Sequence, residues 1–266
     1  MQPTVRLISL LAGVWIAGAD AAQPLNIVNI AGGARHCLAL ASDGTVWAWG
    51  DNQRGQLGDG SANNGATPVR VKDLMGVIGI AAGDAHSLAL KSDGTVWAWG
   101  DNREGQLGDG TRAPHATPVQ VSGLGGIVAI SAGGYHSLAL RADGTVWNCG
   151  ANSSGQLGDG TFSERTFPSR ARGLADTRAI AAGTAHSLAL TADGTVWAWG
   201  ANSSGQAGNI QAFLIPTPAP VTGIRFATAI AAGSQHSVAL KADGTVWTWG
   251  VNGTGFGVSP EQVGNI

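Results

Sequence analysis

Charged residues and cysteines are scarce in this chain. Only 12% of its 266 residues are Asp, Glu, Lys or Arg, and the formal net charge is −2. A chain of this balance presents no broad basic field to nucleic acid or to anionic lipid, so we expect no nucleic-acid partner. The two cysteines are too few for the disulfide framework of a small secreted domain.

Glycine and tryptophan, by contrast, are abundant, with 42 and 10 copies. The glycines do not recur at every third position, which excludes a collagen-like chain, and the aromatic content is too high for a disordered one. No stretch carries a sustained helical period. This composition is typical of tight turns between short buried strands.

The N-terminus has the features of a secretory signal peptide. Arg6 is the only charged residue among the first nineteen, and the apolar run after it is too short to span a bilayer comfortably. A small-x-small cleavage pattern follows at Ala19–Ala21. We predict a signal peptide at residues 1–21, with Ala22 as the other possible cleavage position. The mature chain, 22–266, is then a single secreted or periplasmic domain that is not inserted in a membrane. A poorly ordered apolar tail and an uncleaved anchor are the alternatives.

An internal repeat of fifty residues organises the rest of the chain, and a repeat of this length predicts a solenoid, propeller or array. The repeated histidines are His36, His86, His136, His186 and His236. The repeated tryptophans are Trp47, Trp97, Trp147, Trp197 and Trp247. Both sets are interpreted as structural positions.

Each repeat is predicted to form four short strands. The pair Asp93-Gly94 separates two alternating apolar runs, which is a strong hairpin signal because Gly accepts the positive φ of the turn. Both faces of the hairpin are apolar, so each small sheet must be covered on both sides. These features favour an all-β fold, a β-propeller with one blade per repeat, over a β-solenoid, whose coils are shorter.

The chain ends predict a closed ring. The segment Ile27–Ile30 aligns with Val77–Ile80, and the last segment, Pro260–Val263, resembles Pro68–Val71. We expect Pro260–Val263 to complete the blade that begins at the N-terminus, because such closure removes exposed strand edges. The prediction is therefore five four-stranded blades with closure between the N- and C-terminal strands.

The repeat resembles that of the RCC1 family, named for the regulator of chromosome condensation. The resemblance lies in the run from Ala82 to Leu90, in the turn and arm from Ser92 to Trp97, and in the tail from Trp99 to Gly110. It covers the chain from about Ile27 to the end. The resemblance implies a propeller, but the best-known members have seven blades. An open ring that needs a partner is the alternative to closure.

Function varies among the proteins that this repeat resembles. The resemblance implies nucleotide exchange on a small nuclear GTPase, inhibition of a β-lactamase by one propeller face, or a role as a photoreceptor or module. The fold therefore does not decide the function. A guanine-nucleotide exchange factor and a glycan-binding module remain the alternatives to a protein-binding scaffold.

No residue pattern predicts catalysis, a metal or a cofactor. The repeated histidines have no repeated second ligand, and we expect each to fix a turn by bonding backbone. The Asp-Gly pairs are turn residues. No combination of acid, base and nucleophile is unique to one place, so the protein is not predicted to be an enzyme.

The repeats vary in the two residues before each histidine and in a second set that follows the Gly-Asp-Gly tail, at Arg112–His115, Phe162–Arg165 and Gln211–Leu214. The candidate binding surface is built from the residues before the histidines. They lie at one end of a strand and by symmetry ring one face, where variable side chains on a rigid scaffold form binding surfaces. The candidate partner-binding ring consists of Arg35, Asp84, Tyr135, Thr184 and Gln235. We expect a monomeric, secreted, non-enzymatic scaffold that binds an unidentified protein with these loops.

Overall fold

The computed structural model describes residues 25–208, 212–252 and 255–264, and the predicted signal peptide at 1–21 lies outside this range. The described residues form twenty β-strands. They include no helix suited to crossing a membrane. In chain order the strands are β1 (Ile27–Gly32), β2 (His36–Ala41), β3 (Val46–Gly50), β4 (Gly65–Arg70), β5 (Val77–Ala82), β6 (His86–Lys91), β7 (Val96–Gly100), β8 (His115–Gln120), β9 (Ile127–Ala132), β10 (His136–Arg141), β11 (Val146–Gly150), β12 (Arg165–Arg170), β13 (Thr177–Ala182), β14 (His186–Thr191), β15 (Val196–Ala201), β16 (Leu214–Pro220), β17 (Ala227–Ala232), β18 (His236–Lys241), β19 (Val246–Asn252) and β20 (Gly255–Gln262).

The twenty strands fall into groups of four in chain order, β1–β4, β5–β8 and so on to β17–β20. Each group forms one antiparallel sheet, so there are five sheets. We call these sheets blades 1 to 5. The first strands of neighbouring blades also contact one another, β1 with β5 and so on to β13 with β17, so these strands lie innermost. The all-β prediction of five four-stranded propeller blades is confirmed.

The Asp-Gly pairs form the predicted hairpin turns. In blade 2 the carboxylate Oδ1 of Asp93 accepts bonds from the main-chain N (3.0 Å) and the hydroxyl (2.6 Å) of Thr95. Gly94 follows with φ of 78°, a conformation that favours glycine. The aspartate and glycine thus fix the register of the two arms.

Apolar side chains fill the space between consecutive blades. Between blades 1 and 2, Leu38 and Leu40 form one buried cluster with Ile80 and Trp99. Equivalent contacts join β6 to β9, β10 to β13 and β14 to β17. Both faces of a middle blade are therefore buried, as its two apolar faces require.

The first and fifth blades do not close on each other. Within the described residues, the strands of blades 1 and 5 lack the extensive contacts that join consecutive blades. Ile30, on the free face of blade 1, is 61% exposed, whereas its equivalent Ile80 is 8% exposed. Leu240, on the free face of blade 5, is 38% exposed, whereas Leu190 is fully buried. The blades form an open arc with a gap, which we call the seam.

The predicted closure between N- and C-terminal strands is wrong. The last strand, β20, pairs with its own neighbour β19, with Gln262 opposite Trp247. Blade 1 already has four strands of its own, β1 to β4. A strand next to its hairpin partner closes a short loop at low entropic cost, whereas completing blade 1 would require a closure across the whole chain.

Candidate functional site

The two ends of the arc carry different loops. The loops between the first and second strands, residues 33–35 in blade 1 and their equivalents, lie at one end, which we call the loop face. Tail loops, residues 51–60 and their equivalents, lie there as well, since Asp51 N donates to Arg35 O at 2.8 Å. The Asp-Gly turns lie at the opposite end, the turn face.

The repeated histidines link consecutive blades at the loop face. His36 Nε2 lies 2.9 Å from the hydroxyl of Ser87 in blade 2, and that hydroxyl donates to Gln56 O, also at 2.9 Å. Because the serine proton is used on Gln56, the imidazole donates from Nε2. The same pair recurs as His86 with Ser137 (3.1 Å), His136 with Ser187 (3.0 Å) and His186 with Ser237 (2.9 Å). We expected each histidine to fix a turn by bonding backbone, and this is wrong for these four, whose Nε2 atoms bond a serine side chain.

The four linking histidines are neutral. Burial lowers the pKa of His86 and of His136 to about 3, and that of His36 and of His186 to about 4. Their Nδ1 atoms are buried without a hydrogen-bond partner. A charged imidazole would be costly in such a place, so these residues fix blade geometry and carry no proton chemistry near neutral pH.

Glycine at the start of each loop lets neighbouring loops approach. A Cβ on Gly83 would lie 2.4 Å from Gly133 O and 2.3 Å from His86 Cε1. Gly33, Gly133 and Gly183 are restricted in the same way by the next blade. The loops therefore form a tight row around the axis.

The residues of the candidate partner-binding ring fall into two groups. Asp84 and Thr184 line a central cavity of about 460 Å³ at the axis. Arg35, Tyr135 and Gln235 are exposed outside that cavity. The structure thus brings Asp84 and Thr184 to one opening and places the other three on the surrounding rim.

Main-chain hydrogen bonds connect the loops that surround the cavity. Asp84 N donates to Gly134 O (3.2 Å), Gly134 N to Thr184 O (3.1 Å), and Thr184 N to Ser234 O (3.4 Å). The Thr184 hydroxyl also donates to the Ser234 hydroxyl at 3.0 Å. The cavity wall is therefore held by bonds between blades rather than by each loop alone.

Asp84 is the charged side chain of the cavity wall. Half-burial raises the pKa of its carboxyl group. Among the described residues, no basic side chain forms an ion pair with it. A carboxylate in this position has lost part of its hydration without gaining a counter-ion.

Tyr135, 36% exposed, is packed against a basic side chain on the rim. The guanidinium of Arg103 lies 6.0 Å from the centre of the Tyr135 ring. Arg103 also forms a two-pronged ion pair with buried Asp101, with distances of 2.9 to 3.1 Å. This pair holds the guanidinium beside the ring, so Tyr135 and Arg103 form one rigid patch on the loop face.

Two further rim residues, Arg103 and Glu104, were missed by sequence reasoning, and they contact two members of the second variable set, Arg112 and Glu164. Arg112 is ion-paired with Glu164 of the next blade and donates to Arg103 O at 3.0 Å. Hydrogen bonding to Glu164 raises the pKa of Glu104. Arg103 and Glu104 occupy the two variable positions of the blade 2 tail, so variation among tails was the available signal.

The described residues offer no other evident chemistry. They contain no group of three or more His, Cys, Asp or Glu placed to hold a metal ion. Cys37 is half-buried and Cys149 is buried, and both are free thiols. Burial raises the pKa of Cys149 to about 12, so this thiol is inert near neutral pH.

Comparisons with known proteins match the repeat. The family model for the RCC1-like domain matches residues 16–263. A 50-residue stretch is 48% identical to the human E3 ubiquitin-protein ligase HERC2, covering 19% of this chain and 1% of the ligase. A 53-residue stretch is 40% identical to the Arabidopsis thaliana ultraviolet-B receptor UVR8, covering 20% of this chain and 12% of the receptor. The chain thus matches only small parts of these relatives.

Solved structures share the fold. Human WBSCR16 is 24% identical with a TM-score of 0.81, over 91% of this chain and 68% of that one. Yeast RCC1 (Prp20), in a complex with Kap60, is 24% identical with a TM-score of 0.66, over 90% of this chain and 75% of that one. The five blades therefore superpose on part of these longer chains.

Proposed function

The chain belongs to the RCC1-like domain family, and we propose that it is a non-enzymatic protein that holds a protein partner on its loop face, outside the cytoplasm. One observation carries this proposal. Nearly identical loops, fixed by the same histidine–serine bonds, differ in the side chains that they present around the axis. A rigid frame with a variable surface is the usual arrangement of a binding site.

The rim supplies residue types that dominate protein interfaces. Tyr135 and Arg103 form a preorganised aromatic and basic pair, and Arg35 adds a second exposed guanidinium. Aromatic and arginine side chains are enriched among residues whose truncation weakens binding most. Because the Asp101 ion pair already orders Arg103, less side-chain entropy is lost when a partner docks.

The proposed location rests on residues 1–21, whose features are those of a cleaved signal peptide. The intact mass of the protein recovered outside the cytoplasm of its source tests this part directly. Loss of about the first 21 residues is expected, whereas a full-length cytoplasmic chain would contradict it.

The binding proposal is tested by capturing partners from the extracytoplasmic fraction with a matched pair of variants. Arg35→Ala/Tyr135→Ala removes a basic and an aromatic side chain from the loop face. Arg225→Ala/Phe226→Ala removes the same two types from exposed positions on the turn face. With the captured partner purified, the first variant should weaken binding at least tenfold and the second should not.

Equal binding by both variants would exclude Arg35 and Tyr135 from the interface and would overturn the rim as the docking surface. The same preparation tests the two alternatives. Acceleration of nucleotide release from a GTPase would favour an exchange factor, and selective binding on a glycan array would favour a glycan-binding module. Either result, together with unaltered protein binding in the loop-face variant, would overturn the proposal.

A further inference from the structure

The central cavity contains more hydrogen-bond acceptors than free donors. Ten main-chain N–H groups belong to the first two residues of the five loops around it. Five of them, on the leading glycines, donate to the carbonyl of the histidine in the same loop. These glycines are Gly33, Gly83, Gly133, Gly183 and Gly233.

Three more of these N–H groups, on Asp84, Gly134 and Thr184, donate to the carbonyl of the next loop. Eight of the ten donors are therefore already used. The carbonyl oxygens that accept these last three bonds, on Gly134, Thr184 and Ser234, each keep a second lone pair, because one bond occupies only one of the two. The side chains add the carboxylate of Asp84 and the hydroxyls of Thr184 and Ser234.

Asp84 gives this acceptor-rich wall a negative charge. Its Oδ2 faces the loop of blade 3, since a Cβ on Gly134 would lie 3.3 Å from it. It has no ion-pair partner among the described residues. A cation would recover the interaction energy that partial burial has cost this carboxylate, whereas an anion would be repelled.

The lining also selects among cations. One carboxylate is too few for calcium, which takes six to eight oxygen ligands, often several of them carboxylates. Ala82, Ala132 and Ala182 line the same cavity and add apolar surface that methylene groups can contact. Lysine and arginine side chains combine a charged head with an apolar stem in this way.

We propose that the central cavity binds an alkylammonium or alkylguanidinium group, with Asp84 as its counter-ion and the loop carbonyls and hydroxyls as further acceptors. In the natural complex the group is a lysine or arginine side chain of the bound protein. This last step rests on the proposed function, whereas binding of the cationic group itself does not.

The cavity is tested first with small probes. Titration with n-butylammonium and n-butylguanidinium should shift the amide NMR signals of the loop residues Gly83, Asp84 and Gly134. Neutral n-butanol and anionic n-butyrate at the same concentrations should not. Asp84→Asn should weaken binding of both cations at least tenfold.

Asp73→Asn is the matched control, because it removes the same charge from an exposed position before β5. Asp73 has a φ of 51°, a conformation that asparagine also accepts. This variant should bind the cations like the natural protein. Equal affinity of the Asp84→Asn variant, or binding of butyrate as strong as that of butylammonium, would overturn the cavity site whether or not a protein partner is found.

The source of the cation is tested with the purified protein partner. A loss of at least tenfold in its affinity on Asp84→Asn, reproduced when its docking lysine or arginine is replaced by glutamine, would support a basic side chain. A partner whose affinity depends on Arg35 and Tyr135 but not on Asp84 would leave the proposed function intact. That result would also show that the partner does not occupy the cavity, and the cavity would remain a binding site for free amines.

Discussion

The indole nitrogen of Trp99 donates a hydrogen bond of 2.9 Å to the main-chain carbonyl of Gln56 in the tail loop of the preceding blade. The same carbonyl accepts the hydroxyl of Ser87 at 2.9 Å, so both of its lone pairs are used. One acceptor in blade 1 thus holds two strands of blade 2. Trp199 and Ser187 share Gln156 O in the same way.

Truncation of this tryptophan should be far more costly inside the arc than at its end. Trp99 is fully buried, whereas Trp49 in blade 1 has no preceding blade and is half-buried. We expect Trp99→Ala to lower the free energy of unfolding by about 3–5 kcal/mol, the usual cost of removing a buried aromatic side chain. Trp49→Ala should cost clearly less. Urea unfolding of both variants measures the difference, and equal losses would contradict the proposed packing.

Acidification should destabilise the protein before its carboxylates titrate. The pKa of His86 and that of His136 fall to about 3, and those of His36 and His186 to about 4, while the ordinary value is 6.5. Between about pH 6.5 and 4 the unfolded chain therefore binds more protons than the native one. Stability rises with pH in this window, so it is lost as the pH falls.

This pH dependence is measured by denaturant unfolding between pH 7 and pH 5. Each linked proton contributes about 1.4 kcal/mol per pH unit, and up to four are taken up on unfolding. His86→Gln should reduce the slope by one proton. A free energy of unfolding that stays constant from pH 7 to 5 would show that the histidines are not buried as described.

Because of the seam, replacing equivalent leucines by alanine should lower the free energy of unfolding by different amounts. Leu190 is fully buried between blades 4 and 5, and Leu240 is 38% exposed on the free face of blade 5. Leu190→Ala should cost about 2–5 kcal/mol, as in other protein cores, and Leu240→Ala should cost much less. Thermal unfolding compares the two variants. A similar loss in both would mean that the free face of blade 5 is covered in solution.

Replacement of glycine by alanine should disturb the packing of neighbouring loops at Gly83 but not at Gly32. A Cβ on Gly83 would lie 2.4 Å from Gly133 O, whereas a Cβ on Gly32 would meet nothing within 4 Å. Gly83→Ala should therefore destabilise the protein by about 1–3 kcal/mol, the usual cost of overpacking, and Gly32→Ala should be neutral. Hydrogen exchange of the loop amides would locate the change, and a neutral Gly83→Ala would disprove the close approach.

The two thiols should react at very different rates. Cys149 is buried with its pKa raised to about 12, while Cys37 lies half-buried on the free face of blade 1. Iodoacetamide at pH 8 should modify Cys37 first, because the thiolate is the reactive form and must be reachable. Mass spectrometry of the labelled peptides identifies the site, and complete denaturation should equalise the two. Preferential labelling of Cys149 in the folded protein would contradict the structure.

The blade itself was predictable from the sequence, because its signals are local. Asp93 and Gly94 specify a turn through contacts within two residues, and alternating apolar residues specify two buried faces. The link between His36 and Ser87 was not predictable in this way, since the two residues belong to different blades and each is common in turns. The hydrogen bond between His36 and Ser87 is evident only once the two blades are packed against each other.

The open arc was considered from the sequence only as the alternative to closure, because five repeats are fewer than the seven blades of the best-known family members. The same interface residues would pack at any blade number, because the angle between blades depends on small adjustments along the whole interface. Ile30 and Leu240 are apolar like their buried equivalents Ile80 and Leu190. The residue types at these positions therefore do not distinguish a free face from a covered one. The rim contact between Arg103 and Tyr135 depends in turn on the path of two different loops.

The seam gives this protein two ends, a property that a closed ring lacks. Because blades 1 and 5 each rest on a single neighbour, either can peel away while the three others keep their mutual contacts. Under tension applied to the chain termini, the blades should therefore unfold one after another, starting from blades 1 and 5. The force trace should show several small unfolding events and not a single large one.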